Sequence, residues 1–267
     1  AITPMIAGLW GSLRQLATGP IAIMSLLVLT TLTPYAEPSS AEYVRLAVLM
    51  SLLVGLVYLL VGVFRMGQVM TFISHSAVRG FTAAAALIII STQLPNFLGI
   101  ILSRHEFILP MLVEIVRSLP AFHWPTALTG LFSFAVIYGL KHYQPRIPAS
   151  LLALVAASLA IWFFELHESG IAIIGQIPGG LPAPQLPVLD FAIVSSLIGP
   201  AVVMALVSFA ETYSVGKAVS EETRQKVDVN QEFIGQGVAN VVGSFFQCYP
   251  VSGSFSRTAI NFSAGAK

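Results

Sequence analysis

Two interrupted apolar runs and one isolated carboxylate are the places where this sequence could do chemistry. The first run opens with Thr18-Gly19-Pro20 and continues without charge over only twelve residues, 21–32. Twelve helical residues rise roughly 18 Å against a hydrocarbon core of about 30 Å, so this helix would reach about halfway. The second interruption is Gln247-Cys248-Tyr249-Pro250-Val251-Ser252-Gly253-Ser254-Phe255-Ser256-Arg257, which follows the short apolar run 233–246 with Pro, Gly and four hydroxyl side chains. A second half-helix is expected to start near Ser256. Non-helical backbone at membrane depth survives only where protein or a water-filled cavity satisfies its N–H and C=O groups. A half-helix starting there aims free N–H groups and the positive end of its dipole into that cavity, which favours an anion. Pro20 loses no hydrogen bond in a first turn, and Gly19 and Gly253 admit close approach to the backbone. The alternative for either break alone is a Pro/Gly kink with no ligand. Two breaks of similar character, one early and one late, favour a binding site.

Glu211 is the isolated carboxylate. It lies in the stretch 191–214, otherwise free of charge, with Ser208, Thr212 and Ser214 around it. An acid at membrane depth is costly and reads by default as functional. Read differently, Glu211 is a helix-end acid paired with Lys217, only five residues away, and the sequence leaves both readings open. Arg257 likewise reads either as a snorkelling interfacial cation or as a charge that draws an anion to a helix start. Its place beside Ser256 favours the second.

The elements that would position these residues are set by where charge is missing. Of 267 residues, 56% are hydrophobic and 9% charged, whereas soluble domains carry roughly 25% charged residues. Seven stretches carry no charge, 15–36, 46–64, 80–103, 118–140, 147–164, 191–210 and 233–256, and together they exceed half the chain. Buried helices of a soluble protein would alternate with amphipathic ones whose outer faces supply charge, and that alternation is missing. An all-α polytopic membrane protein is therefore expected, in a lipid bilayer and with multiple spans.

Lys and Arg accumulate in cytoplasmic loops. With loops assigned alternately, one side collects eight cations, Arg14, Arg65, Arg79, Lys141, Arg146, Lys217, Arg224 and Lys226, and the other three, Arg45, Arg104 and Arg117. The first side reads as cytoplasm. The loop 165–187, with Pro178, Gly179, Gly180, Pro182, Pro184 and Pro187, suits irregular or short extended structure outside, and 107–119 reads as an amphipathic surface helix.

Other chemistries find little support. A net charge of +1 offers no basic excess for nucleic acid. The single Cys248 forms no internal disulfide or zinc motif. Gly235-Gln236-Gly237 has Asn240 where a dinucleotide fingerprint needs its third glycine, so these glycines read as small-residue helix contacts, as do Gly55 and Gly62. Gly216-Lys217 lacks the Ser/Thr of a phosphate loop, having Ala218 next. His75, His105, His123, His142 and His167 are scattered singly, without metal or triad spacing. Neither a metal, nor a cofactor, nor an enzymatic site is expected.

These residues resemble a family. The stretch Asp228-Val229-Asn230-Gln231-Glu232-Phe233, then Gly237-Val238-Ala239-Asn240-Val241-Val242-Gly243-Ser244-Phe245-Phe246, then Gln247 through Ala259, is similar to the SulP sulfate-permease family. Ala17-Thr18-Gly19-Pro20-Ile21-Ala22-Ile23-Met24-Ser25, Phe72-Ile73-Ser74-His75 with Gly80-Phe81-Thr82, and Phe209-Ala210-Glu211-Thr212 reinforce the likeness, which covers essentially the whole chain.

The resemblance implies part of a 7+7 inverted-repeat transporter domain, with a substrate-carrying core moving against a gate and two broken helices meeting at mid-membrane. Residues 1–267 would cover approximately helices three to ten, without the first two helices, the last four or the STAS domain. The family's anion site would fall on Thr18, Gly19, Pro20, Ile21 and Ala22 from one half-helix and on Phe255, Ser256 and Arg257 from the other. Glu211 would match the acid tied to proton coupling, so a proton rather than sodium is the expected coupling ion. The implied activity is proton-coupled sulfate uptake by alternating access in a bacterial inner membrane, as a homodimer at full length. Bicarbonate or dicarboxylate transport, or an anion channel or exchanger, is the alternative. A nucleobase permease of the same architecture usually carries an acid in the tenth helix, where this chain has Ser256 and Arg257.

Overall fold

The computed structural model describes residues 2–38, 40–67, 75–102, 108–144, 147–173, 180, 183–187, 190–263 and 265–266. Phe72, Ile73, Ser74, Arg104, His105, Phe107, Arg146, Pro178, Gly179 and Pro182, named above, lie outside these, and of Ser256 only the backbone is described. The regular elements among the described residues are helices, apart from two strands of two residues each. They divide into one unit formed by 1–83 and 180–267 and a second formed by 84–179.

The first unit starts with α1 (Ile2–Trp10), a connector, β1 (Thr18–Gly19), α2 (Ala22–Leu32) and α3 (Ala41–Val63). It resumes with α8 (Phe191–Thr223), α9 (Val229–Phe245), β2 (Ser252–Gly253) and α10 (Phe255–Ser263). On α2, Met24, Val28 and Leu32 are fully buried. Their spacing of four places them on one helix face, and that face joins α3, α8 and α9 in a common core that includes Tyr58, Met204, Phe209 and Phe233.

α3 and α9 pack with almost no side chain between them. A Cβ on Gly55 would lie 2.7 Å from the Val241 nitrogen, and one on Gly237 would lie 3.0 Å from the Gly55 oxygen and 2.9 Å from the Leu59 nitrogen. The small-residue contacts expected at Gly55, Gly62, Gly235 and Gly237 are all present, since each meets a neighbouring segment within 3.0 Å.

Two helices run longer than the apolar pattern indicates. α8 continues to Thr223, capped by Arg224 in the left-handed region at φ 57. α9 begins at Val229, where Asp228 Oδ1 accepts the N–H groups of Asn230 and Gln231 at 3.0 and 3.1 Å. Loss of apolar character marks where a helix leaves lipid, whereas capping groups mark where it ends. Among the described residues, α3 and the Phe191–Ser220 part of α8 are long and apolar enough to cross a membrane, and α2 and the helix Ala149–Phe163 are shorter apolar helices.

The second unit holds the C-terminal part of α4 (His75–Leu98), together with α5 (Ile108–Ser118), α6 (Trp124–Tyr143) and α7 (Ala149–Phe163). α5 matches the amphipathic helix expected over 107–119, with Ile115 buried and Leu109, Val113 and Val116 exposed. The loop that follows α7 starts with a 3-10 turn, Leu166–Ser169. His123 ties that turn to the start of α6, through Nε2 to the Ser169 carbonyl at 2.8 Å and Nδ1 to Thr126 Oγ1 at 2.8 Å. Because a carbonyl only accepts, Nε2 donates in the bond to Ser169. His123 is thus a structural tie.

Candidate functional site

The two sequence breaks meet. β1 and β2 pair antiparallel, with Thr18 opposite Gly253 and Gly19 opposite Ser252. Residues 235 positions apart in sequence therefore sit side by side, and α2 and α10 each begin within three residues of the ladder. The Ser254 N–H donates to the Ala17 carbonyl at 2.9 Å, and the Ala17 N–H to Thr258 Oγ1 at 3.0 Å, extending the join on both sides.

Neither helix start is closed by a strong side-chain cap. Ile21 occupies the N-cap of α2 and makes no side-chain cap bond. The first backbone bond there is from Ser25 to the Ile21 carbonyl, so the N–H groups of Ala22, Ile23 and Met24 precede it. In α10 the first such bond is from Thr258 to the Ser254 carbonyl, and Ser254 Oγ accepts the Arg257 N–H only at 3.4 Å. The N–H groups of Phe255 and Ser256 precede that bond as well.

Among the expected site residues, Thr18, Gly19 and Ile21 are buried, while Pro20, Ala22, Phe255 and Arg257 are exposed. Arg257 does not snorkel away from the ladder. Its Nη2 donates to the Pro20 carbonyl at 2.9 Å, and a Cβ on Gly19 would lie 2.9 Å from that same nitrogen. The guanidinium thus reaches from the start of α10 across Gly19 to the start of α2. Glycine at position 19 leaves it room.

Glu211 stands on α8 in the same unit. The helix runs twelve residues past it, to Thr223, so the helix-end reading is corrected: Glu211 is an interior residue. Its Oε2 is buried and has no hydrogen-bond partner. The adjacent Thr212 is fully buried and holds β2. Its Oγ1 accepts the Gly253 N–H at 3.0 Å and bonds Ser252 Oγ at 2.8 Å, while Ser252 Oγ also reaches the Ser208 carbonyl at 3.1 Å. The Ser208 hydroxyl in turn bonds the Tyr58 hydroxyl from α3.

A polar stripe on α9 supports the ladder from below, and the sequence reading missed it. Glu232, Gln236, Asn240 and Ser244 follow at intervals of four and are 2, 0, 0 and 0% exposed. Asn240 clamps the break itself, with Oδ1 accepting the Val251 N–H and Nδ2 donating to the Val251 carbonyl, both at 2.9 Å. Gln236 Nε2 donates to Thr18 Oγ1 at 2.8 Å and to Glu232 Oε1 at 3.3 Å. Glu232 Oε2 accepts the N–H groups of Ser12 and Leu13 at 2.9 and 3.2 Å, so it fixes the connector ahead of β1. The signal was available as polar residues recurring every four positions in an otherwise apolar segment.

No His, Cys, Asp or Glu cluster suited to a metal occurs among the described residues. The arrangement is one of backbone N–H groups, one guanidinium and two carboxylates, the hydrogen-bonded Glu232 and Glu211. Helix starts of this kind suit holding an anion.

Comparison with known proteins agrees with this architecture. The family model "Sulfate permease family" matches residues 1–267. The chloroplastic sulfate transporter 4.1 of Arabidopsis thaliana is 34% identical over 270 residues, covering 98% of this chain and 39% of the relative. A probable sulfate transporter of Mycobacterium tuberculosis is 33% identical over 269 residues, covering 96% of this chain and 48% of the relative. The chain therefore spans less than half the length of these relatives. Murine solute carrier 26 family member A9, an anion transporter solved in the inward-facing state, superimposes with a TM-score of 0.87 at 22% identity over 100% of this chain and 48% of its own. With its whole length matched by the family model and its fold that of an all-α membrane transporter domain, the chain belongs to the sulfate permease family.

Proposed function

We propose that this chain is the anion-holding part of a secondary active transporter that takes up a small oxyanion, sulfate first, together with a proton. The observation that carries the reading is the β1–β2 ladder, which sets two helix starts side by side, that of α2 without a side-chain cap, and brings Arg257 across both. Helix N-termini contribute up to about 2 kcal/mol each in partly buried geometry, and two sum to about 4 kcal/mol, the free energy of a roughly millimolar site. Arg257 adds to this. A site of modest affinity releases its substrate after each cycle.

Glu211 supplies the proton site. Its Oε2 lacks a hydrogen-bond partner among the described residues, and a carboxyl in such a place is far less costly neutral than charged. In the cycle we propose, the anion loads at the paired helix starts, Glu211 takes up a proton, and the loaded unit shifts between faces of the membrane by alternating access. The names of the relatives support sulfate as substrate. We further propose that these residues correspond to helices three to ten of a longer chain that continues into a STAS domain and works as a homodimer in a bacterial inner membrane.

The test is uptake of radiolabelled sulfate into proteoliposomes containing the full-length protein, with and without an inward proton gradient. Gradient-stimulated, saturable uptake is expected. In Glu211→Gln, stimulation by the gradient should vanish while sulfate binding at about pH 6 stays within about threefold of wild type, a change below about 0.7 kcal/mol. Undiminished proton-driven uptake by this variant would remove Glu211 from the mechanism. Passive sulfate current without saturation would favour a channel, and selective uptake of bicarbonate or a dicarboxylate would replace the substrate.

A further inference from the structure

Thr212 joins the helix of Glu211 directly to the strand that pairs the half-helices, beside the bond from Ser252 Oγ to the Ser208 carbonyl. Its Oγ1 accepts the Gly253 N–H at 3.0 Å and bonds Ser252 Oγ at 2.8 Å. Packing reinforces the bonds, since a Cβ on Gly253 would lie 2.9 Å from Thr212 Oγ1 and 3.0 Å from its Cγ2. At Gly253, Thr212 therefore sits directly against the backbone of β2. Gly253 in turn pairs with Thr18 and lies two residues before Phe255. One hydroxyl, adjacent in sequence to Glu211, thereby contacts the element that sets both helix starts.

The protons at this junction can be arranged in two ways. Thr212 donates to the Ser208 carbonyl at 3.1 Å while Ser252 donates to Thr212, or Thr212 donates to Ser252 Oγ while Ser252 donates to the Ser208 carbonyl at 3.1 Å. Each arrangement uses one proton per hydroxyl and leaves Thr212 Oγ1 open to the Gly253 N–H. The junction therefore tolerates a change of hydrogen-bond direction without losing its hold on β2. The elements packed against α8 contribute few other titratable or charged groups near it. α2 and β2 carry none, and α10 carries Arg257, which bonds the Pro20 carbonyl. α9, whose Phe233 stacks on Phe209, carries Glu232, which accepts the N–H groups of Ser12 and Leu13, and the connector, whose Leu13 lies against Gly216, carries Arg14. α3 carries Tyr58, which bonds Ser208, with Tyr43 and the Glu42–Arg45 pair toward its start. Lys217 and Tyr213 stand on α8 itself.

We propose that Thr212 is a positioning residue that transmits the state of Glu211 to the paired half-helix starts, so that proton uptake and anion affinity change together. The proposal rests on the reading of Glu211 as the proton-coupling group. The coupling is a free energy shared between two sites, and the Thr212 hydroxyl is the contact through which it passes.

The experiment is the KM for sulfate as a function of pH in proteoliposomes of the full-length protein, for wild type, Thr212→Val and Thr212→Ser. Wild type should gain affinity by about fivefold or more between about pH 8 and about pH 6, within the usual span of site-to-site coupling. Valine keeps the shape and removes the hydroxyl, so its KM should change by less than about twofold over the same interval. Serine restores the hydroxyl and should restore the slope. A Thr212→Val KM displaced by one factor at every pH, with the wild-type slope, is what a packing role alone would give and would overturn the proposal. A wild-type KM indifferent to pH would overturn the reading of Glu211 and the proposal with it. Should Thr212→Val fail to fold, hydrogen exchange at the Gly253 amide in Glu211→Gln against wild type decides the matter. A change in protection of about fivefold or more is expected, and unchanged protection would overturn the proposal.

Discussion

Arg257 is the residue whose chemistry depends most on its partner. In the structure its guanidinium spends one donor on the Pro20 carbonyl at 2.9 Å and is otherwise exposed. A guanidinium has five donors, so the bond to Pro20 orients the side chain without exhausting it. Arg257→Ala should raise the KM for sulfate about tenfold, the loss of one charge-assisted contact of about 1.5 kcal/mol. Uptake kinetics of the purified variant check this, and an unchanged KM would make the arginine a mere bracket between helices. Gly19 belongs to the same argument, because it leaves the space the guanidinium occupies. Glu211 differs in kind. Its buried Oε2 has no hydrogen-bond partner among the described residues, a place that favours the neutral carboxyl.

Among the elements, α9 is the scaffold. Its glycines let α3 approach to backbone contact, and its polar stripe holds the connector, β1 and the break before β2. Asn240→Ala would leave both the Val251 N–H and its carbonyl without their side-chain partner in a fully buried place. Each such group costs about 1–3 kcal/mol, so the variant should lose about 2–6 kcal/mol of stability. Thermal unfolding of the full-length variant in detergent measures it, and a loss under about 1 kcal/mol would mean that the clamp is dispensable.

How much of this was legible in the sequence divides along the same line. The half-helices could be read from Thr18-Gly19-Pro20 and Pro250-Val251-Ser252-Gly253, because proline and glycine act locally, and α2 and α10 begin within a residue of where those breaks place them. The glycine contacts of α3 and α9 were legible for the same reason. The pairing of Thr18 with Gly253 was not, since no local pattern records a partner 235 residues away. Glu232 was read only as part of a motif. Its burial follows from a connector whose N–H groups need an acceptor, and a connector without periodicity gives no warning of that need.

At the scale of the molecule, the fold brings three separate parts of the sequence to one place: the start of α2, the middle of α8 and the start of α10. All lie in the unit formed by 1–83 and 180–267. The unit places the positive ends of two helices next to one another, which is costly unless something of opposite charge joins them. The central claim is that an anion does so, and Ala22→Asp tests it most directly. Ala22 is exposed and is the first residue of α2. An aspartate there would itself favour the helix start by about 0.3–1 kcal/mol, so the fold should hold, while its charge repels a second anion. The measurement is equilibrium binding of radiolabelled sulfate to the full-length protein, with thermal unfolding in parallel. The account predicts that binding weakens at least about tenfold with no loss of thermal stability. Wild-type sulfate affinity in the folded variant would contradict it.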